Sequence, residues 1–357
     1  MYVLKTSSMP VMYDTTCFST MLNISYTIFR MSKETEWLRR IKSSNGMRAS
    51  LLAKEPEKKE EAKPLGKEIP VDLNAGKQGF SKVAGMDNLK KLVIEGFINV
   101  LKNPTKAAHY GISVPNILLY GPAGCGKTFF AERVAEEVGI NFMKVSPDDL
   151  SSIYIHGTQK KIGELFKKAE SKAPTLLFLD EFDCMAPQRT NDPNRQHQTD
   201  DVDEFLTMLN ETSKRGIYVI AATNHPENID KSILRTGRID EKIYVPMPDV
   251  EMRKSLFRIE LESRPISDDI AYDTLAQITE GYNCSDINYI VKVAARQKFN
   301  SSINSATDEL IYQKDIEGVI SHVSPSVTEK DIRTMERTCQ EFAPKDSKSN
   351  KYTIGFK

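Results

Sequence analysis

The chain has 357 residues, long enough for a large core and two subdomains, and its 39% hydrophobic and 27% charged residues are an ordinary balance for a soluble globular protein. Lys and Arg together number 49, as do Asp and Glu, so the zero net charge argues against a nucleic-acid binder that relies on bulk positive charge. The five cysteines form no C-x-x-C pair, which gives no zinc signature and favours a reducing cytoplasm, and no run of about 18 apolar residues predicts a transmembrane helix.

The N-terminal part of the chain carries no catalytic pattern. Residues 1–30 are rich in Ser and Thr but lack the continuous apolar segment of a signal peptide, which favours a disordered tail or an over-long start with Met31 as the true first residue; a cryptic targeting segment is the less favoured alternative. Residues 31–79 are expected to hold an amphipathic helix over 33–53 and a charged, Pro-containing linker at 54–70 that is solvated and flexible.

From about residue 80 short apolar runs alternate with helical patterns, which predicts βαβ units on a parallel sheet sandwiched by helices over 80–249. The runs LLFL and YVIAA are apolar at every position, as expected for strands covered on both faces. Residues 250–342 carry apolar residues at three- and four-residue spacing and predict a small α-helical domain. The tail at 343–357 is expected to be flexible.

The segment GPAGCGKT, Gly121 to Thr128, lies between the apolar run NILLY and a predicted helix, which is the setting of a phosphate-binding P-loop. Glycines let backbone N–H groups turn around phosphate oxygens, and the following helix presents its positive N-terminus to the anion. In this pattern Lys127 reaches the β- and γ-phosphates and the Thr128 hydroxyl binds Mg²⁺. The alternative is a Gly-rich turn without function, which the strand-loop-helix context disfavours.

The segment LLFLDEFD places two adjacent carboxylates after a predicted buried strand, at the sheet edge where ligands bind in open α/β folds. We expect Asp180 to hold the Mg²⁺ shell through water and Glu181 to orient and activate the attacking water. An Asp-Glu pair after a strand is elsewhere usually a solvated turn. Behind a P-loop, the catalytic interpretation is favoured.

Two further polar positions follow downstream. Asn224 ends the apolar strand VIAATN, where an amide can contact the γ-phosphate and the lytic water, although Thr-Asn after a strand is also a common turn. Arg235 and Arg238 flank a Gly turn in ILRTGRIDEKIYV. A guanidinium suits the charge that builds up on a transferred phosphoryl group, and surface salt bridges are the alternative for these two arginines.

These segments, in this order and spacing, resemble the AAA+ ATPases, and specifically the AAA clade of protein-remodelling ATPases. The resemblance extends from FSKVAGMDNLKKLV (80–93) to SPSVTEKDIRTMERTCQEF (324–342) and includes GYNCSDINYIVKVAA. It implies an α/β P-loop NTPase fold followed by an α-helical lid at 250–342. It also implies ATP hydrolysis with Mg²⁺ by a ring-shaped homo-oligomer, normally a hexamer.

The resemblance also implies roles for the residues that match the family's motifs. Gly121 to Thr128 is the Walker A loop, Asp180 and Glu181 are the Walker B pair, and Asn224 is the sensor-1 residue. The residues implied in nucleotide binding are Ala84, Gly85, Gly121, Pro122, Ala123, Gly124, Cys125, Gly126, Lys127, Thr128, Phe129, Cys284 and Ser285, those implied in catalysis are Lys127, Asp180, Glu181, Asn224, Arg235 and Arg238, and those implied at the metal are Thr128 and Asp180.

Two further features implied by the resemblance involve other molecules, namely the adjacent subunit and a polypeptide substrate. Arg235 and Arg238 match arginine fingers that act on ATP bound in the adjacent subunit, which requires a head-to-tail contact between copies. Tyr154 and Ile155, in SSIYIHGTQ, match the aromatic–aliphatic pair of a pore loop that grips an extended polypeptide, and a tyrosine can hold any side chain by stacking and apolar contact. His156 departs from the family pattern, which usually has Gly there.

Three function classes follow from these motifs. The favoured one is an ATP-driven motor that unfolds, threads or disassembles a protein substrate whose identity the sequence does not reveal. An AAA+ machine acting on DNA or nucleoprotein is disfavoured by the pore-loop residue Tyr154, by the zero net charge and by the lack of a helix-turn-helix after the lid. A nucleotide-switched scaffold is disfavoured by the intact catalytic set. None of the five histidines lies in an H-E-x-x-H motif, so any protease would be a separate chain.

Overall fold

The computed structural model describes residues 66–69, 79–151, 157–189, 196–303 and 309–342. Within these ranges the central element is a six-stranded sheet with the strand order β1-β3-β4-β5-β2-β6. Strands β2 to β6 pair in parallel, and β1 pairs antiparallel with β3 at one edge. The strands are β1 (Lys67–Ile69), β2 (Ile117–Tyr120), β3 (Asn141–Val145), β4 (Thr175–Leu179), β5 (Ile217–Thr223) and β6 (Glu241–Tyr244).

Helices cover both faces of the sheet, which confirms the predicted α/β class. β2 and β4 are buried at every position, because one hydrophobic core lies on each side of the sheet. The helices of this part are α1 (Asp87–Val93), α2 (Asn99–Lys102), α3 (Pro104–His109), α4 (Lys127–Val138), α5 (Pro147–Leu150), α6 (Gly157–Ser171), α7 (Phe182–Met185) and α8 (Gln196–Met208), with a π-helical turn, Ile94–Ile98, between α1 and α2.

The edge strand β1 corrects one expectation. It lies inside the segment 54–70, whose charge and proline predicted a solvated linker, yet Lys67–Ile69 pair with β3. The carboxylate of Glu68 explains part of the difference, since it forms ion pairs with Lys168 on α6 at 3.1 Å and with Lys172, just after the end of α6, at 2.6 Å. The charged side chain of Glu68 therefore helps to hold this short strand against the protein, and β1 covers the edge of the sheet that β3 would otherwise leave open.

After the sheet the chain is helical, as predicted, and the first four of these helices share a hydrophobic core of their own that includes Phe257, Leu275 and Ile290. They are α9 (Val250–Leu261), α10 (Tyr272–Ile278), α11 (Cys284–Ser302), α12 (Gln313–Ile320) and α13 (Glu329–Phe342). The short helix α12 was not predicted. The last helix returns to the sheet, where burial and a hydrogen bond with Cys339 raise the pKa of Tyr120, the last residue of β2.

Several predicted segments cannot be compared with the structure. The residues 1–30, the helix expected over 33–53 and the tail at 343–357 lie outside the described residues. Among the helices that the structure does describe, none combines the length and the apolar composition that a membrane crossing requires.

Candidate active site

The loop between β2 and α4 depends on glycine at two places. A Cβ atom on Gly121 would lie 2.2 Å from the carbonyl oxygen of Val245, and one on Gly124, where φ is +74°, would lie 2.4 Å from Asn283 Nδ2. Only glycine fits these close approaches. The loop is thus held between the residue after β6 and the start of α11, and α4 begins at Lys127 as predicted. Its N-terminus directs backbone N–H groups and a positive dipole end at this loop.

Lys127 is buried in the loop, with 8% of its surface exposed. Its Nζ donates to the carbonyl oxygens of Gly121 and Pro122, each at 2.8 Å, and to Asn224 Oδ1 at 2.6 Å. Burial lowers the pKa of Lys127 to about 8, against the opposing effect of nearby acidic groups that include Asp180. A buried ammonium whose direct partners are neutral oxygens fits an anionic ligand such as a phosphate chain.

Binding of ATP at Lys127 is expected to take up a proton above about pH 8. The free lysine is then mostly neutral, since its pKa is lowered to about 8, whereas a bound phosphate favours the ammonium form. ATP affinity should therefore change little below about pH 7 and fall by up to about tenfold per pH unit above pH 8. Calorimetry at about pH 9 in two buffers of different ionisation enthalpy measures this uptake. A binding enthalpy that is identical in both buffers would contradict it.

Thr128 and Asp180 lie together, as the sequence predicted. The Thr128 hydroxyl donates to Asp180 Oδ2 at 3.2 Å, so a hydroxyl and a carboxylate converge beside the loop. These hard oxygen ligands fit Mg²⁺, which commonly takes one or two protein ligands and completes its shell with water and substrate phosphates. Among the described residues, the structure holds no cluster of three or more His, Cys, Asp or Glu side chains suited to a metal.

Lys144 is a site residue that sequence reasoning missed. Its Nζ lies 2.8 Å from Asp180 Oδ2, the same oxygen that Thr128 contacts. The signal was a lysine among the apolar residues of the strand NFMKV, and β3 is the neighbour of the strand that ends before Asp180. The contact of Lys144 with Asp180 depends on the strand order, which cannot be read from the sequence alone.

Glu181 directly follows Asp180 at the C-terminal end of β4. It has left-handed backbone, with φ +51°, it is exposed, and its N–H donates to Asp180 Oδ1 at 3.1 Å. Left-handed backbone is uncommon outside glycine and is frequent at functional sites. Two residues later, Asp183 accepts from Thr223 Oγ1 at 2.5 Å and so ties α7 to the end of β5. The two adjacent carboxylates therefore have different surroundings, one paired and one open to water.

The predicted lid contacts the loop directly. Asn283 Nδ2 donates to the carbonyl oxygen of Ala123 at 3.1 Å, and the Ser285 N–H donates to that of Gly124 at 3.1 Å. Gly85, predicted at the adenine, is close to α9, because a Cβ there would lie 3.2 Å from Met252 Cβ, and the neighbouring Ala84 is buried. The start of α11 is thus brought to the loop, and the segment of Gly85 is brought to α9.

The two cysteines of the predicted nucleotide site are poor nucleophiles. Burial raises the pKa of Cys125 to about 11 and that of Cys284 to about 12, so both thiols stay protonated near neutral pH. Phe129 lies in the first turn of α4, 44% exposed, with the Arg133 guanidinium 5.0 Å from its ring centre. These side chains contribute packing and shape.

Arg235 and Arg238 lie elsewhere. The carbonyl oxygen of Arg238 accepts from Asn116 Nδ2 at 2.6 Å, and Asn116 directly precedes β2, whereas the loop with Lys127 follows β2. The four residues of β2 rise about 3.3 Å each, so the arginine turn and the loop are separated by about 13 Å of strand. Arg238 Nη1 donates to the carbonyl oxygen of Ser232 at 2.8 Å, and Arg235 is exposed. Both arginines thus lie at the end of the sheet where β2 begins, whereas the loop of Lys127 lies at the end where β2 stops.

The predicted pore-loop residues cannot be placed. Tyr154 and Ile155 lie outside the described residues, between Ser151 and the start of α6 at Gly157. Their role stays a prediction.

Comparison with known proteins agrees with this geometry. The family model "ATPase family associated with various cellular activities (AAA)" matches residues 117–247. The chain is 33% identical over 275 residues to the Cell division cycle protein 48 homolog of Archaeoglobus fulgidus, covering 74% of this chain and 38% of that protein. It is 31% identical over 266 residues to the ATPase family gene 2 protein homolog A of Homo sapiens, covering 74% and 29%. It is 33% identical over 272 residues to the ATP-dependent zinc metalloprotease FtsH 2 of Petrotoga mobilis, covering 74% and 42%. The chain thus spans less than half the length of these relatives.

Proposed function

The chain carries an ATPase domain of the AAA family, and we propose that it hydrolyses ATP as a ring of identical subunits, a hexamer, and uses the energy to unfold or disassemble protein substrates. The observation that supports a ring of subunits is that the length of β2 separates the arginine turn from the loop of Lys127. An arginine at the far edge of the sheet suits the site of a neighbouring copy. Such a contact joins two different surfaces on neighbouring copies, and when the same contact is repeated from copy to copy the assembly closes into a ring.

Within one site, each group has a separate task. Lys127, the backbone N–H groups of the loop and the N-terminus of α4 hold the triphosphate. Thr128 and Asp180 would hold Mg²⁺, which when bound offsets the negative charge of the phosphates. Glu181 orients the attacking water and accepts its proton, since it is the open carboxylate of the pair. Asn224 positions Lys127 through their 2.6 Å hydrogen bond and can donate to the γ-phosphate.

The contacts of α11 with the loop support coupling to mechanical work. Asn283 and Ser285 bond the carbonyl oxygens of Ala123 and Gly124, so a change in the loop on binding or loss of phosphate acts directly on the first turn of α11. That helix is packed in the core shared by the C-terminal helices. We propose that these helices move as a rigid body during the ATP cycle and that their movement displaces the neighbouring subunit.

Substrate handling is assigned to Tyr154 and Ile155. Replacing Tyr154 with alanine is expected to lower unfolding of a tagged fluorescent protein by about tenfold or more, because the ring that stacks on the polypeptide is lost. ATP hydrolysis should fall far less. Tyr154→Phe is the matched control, since it keeps the aromatic face and should keep unfolding. Unfolding that is equal in the alanine variant and the wild type would exclude threading by this loop.

A further inference from the structure

Asn116 is a buried amide at the start of β2, with 5% of its surface exposed. Its Nδ2 donates to the carbonyl oxygens of Arg238 at 2.6 Å and Leu209 at 3.3 Å. Its Oδ1 accepts from Thr212 Oγ1 at 2.8 Å and from the Val219 N–H at 3.4 Å. An asparagine side chain offers two donor hydrogens and an acceptor with two lone pairs, so this amide is fully used. Such a buried network fixes its members in one arrangement.

The network ends at the arginine turn. The N–H groups of Asp240 and Glu241 donate to the carbonyl oxygen of Asn116 at 3.0 and 3.2 Å, which attaches the end of the turn to β2 through the backbone. The turn itself contains Gly237 at φ +89° and is largely exposed. The side-chain amide of Asn116 adds a bond at Arg238 itself, 122 residues away in the chain.

We propose that Asn116 is a positioning residue for the arginine pair: it fixes the backbone of Arg238 at the sheet edge from which the arginines reach ATP in the neighbouring subunit. The inference rests on the proposed function, since it concerns the same reaction. The physical reason is geometric. A reacting group displaced by about 1 Å can lose about 10²-fold in rate, and an exposed turn without its side-chain anchor has that freedom.

A competing explanation is that Asn116 only stabilises β2 and so the loop of its own subunit. The two explanations differ in mixed oligomers. If Asn116 positions the arginines, an Asn116→Ala subunit has a sound site of its own and fails its neighbour. If Asn116 supports its own loop, the defect stays in its own site. A partner with intact arginines but no hydrolysis, Glu181→Gln, separates these cases.

The experiment measures ATP hydrolysis by Asn116→Ala alone, by Glu181→Gln alone and by their mixture after subunit exchange. We expect Asn116→Ala alone to bind ATP normally and to hydrolyse it about 10²-fold more slowly than wild type. In the mixture, sites of Asn116→Ala subunits receive arginines from Glu181→Gln neighbours, and the rate should rise roughly tenfold or more above either variant alone. A mixture no faster than its components, or full activity of Asn116→Ala alone, would overturn the inference.

Three controls keep the result interpretable. Thr212→Val removes the hydroxyl that bonds Asn116 Oδ1 and leaves the bond to Arg238, so it should lower the melting temperature but keep hydrolysis. Asn116→Asp, which keeps size and acceptor oxygens but not the amide donor, enters the same mixtures if the alanine variant fails to fold. Arg238→Ala must itself recover with Glu181→Gln. If it does not, the proposed function fails together with the inference; if it recovers and Asn116→Ala does not, the inference alone fails.

Discussion

Replacing Arg238 with alanine is expected to lower the rate of ATP hydrolysis by about 10³- to 10⁵-fold, the range measured for arginine fingers in phosphoryl transfer. ATP should still bind, because Lys127, Thr128 and the loop glycines lie at the other edge of the sheet from Arg238. The loss has an electrostatic cause, since the guanidinium stabilises charge that develops on the transferred phosphoryl group. Phosphate release and nucleotide binding, measured on the same preparation, separate the two effects.

The control for this variant is Arg333→Ala, which removes another arginine from the protein surface. Arg333 is 72% exposed at its side chain and forms a local ion pair with Glu329 at 2.9 Å on α13. Such surface pairs contribute about 1 kcal/mol or less, so hydrolysis should be unchanged. Hydrolysis by Arg238→Ala within about twofold of wild type would mean that the arginine is a surface salt-bridge residue, the alternative that the sequence left open.

Replacing Glu181 with glutamine is expected to leave ATP bound while turnover falls by about 10²- to 10⁴-fold. The glutamine has the same size but cannot accept the proton of the attacking water. Binding should persist because the side chains of Lys127 and Thr128 are hydrogen-bonded to Gly121, Pro122, Asn224 and Asp180 rather than to Glu181. Single-turnover phosphate release, together with calorimetric ATP binding, checks both halves of this prediction.

Glu211→Gln is a matched control for the glutamate. Glu211 shares the left-handed backbone, with φ +52°, and is also exposed, but it lies between the end of α8 and the start of β5 and pairs with Lys214. Its replacement should not change turnover. A Glu181→Gln variant with wild-type turnover would transfer the role of base to another group.

The regular parts of the fold followed from the sequence because each depends on local pattern. The apolar runs became β2, β4 and β5, and the P-loop glycines placed Lys127 at the start of α4. Asp180 and Asn224 could be expected near Lys127, since parallel strands end at one edge of the sheet.

The remaining features depend on partners distant in the chain. Lys144 meets Asp180 only because β3 lies beside β4, and Asn116 meets Arg238 only because β2 lies beside β6. In the sequence the first is one lysine in a strand and the second is one asparagine before a strand. The edge strand β1 was missed for a related reason, because its pairing with β3 and the ion pairs of Glu68 with Lys168 and Lys172 outweigh a composition typical of linkers.

The most direct test of the account is the rate of ATP hydrolysis per subunit as a function of protein concentration, with the oligomeric state followed by analytical ultracentrifugation. If the arginines of one copy complete the site of the next, the rate per subunit rises with the fraction of assembled protein and is lower by about 10³-fold or more in the monomer. A monomer that hydrolyses ATP as fast per subunit as the assembled ring would contradict it.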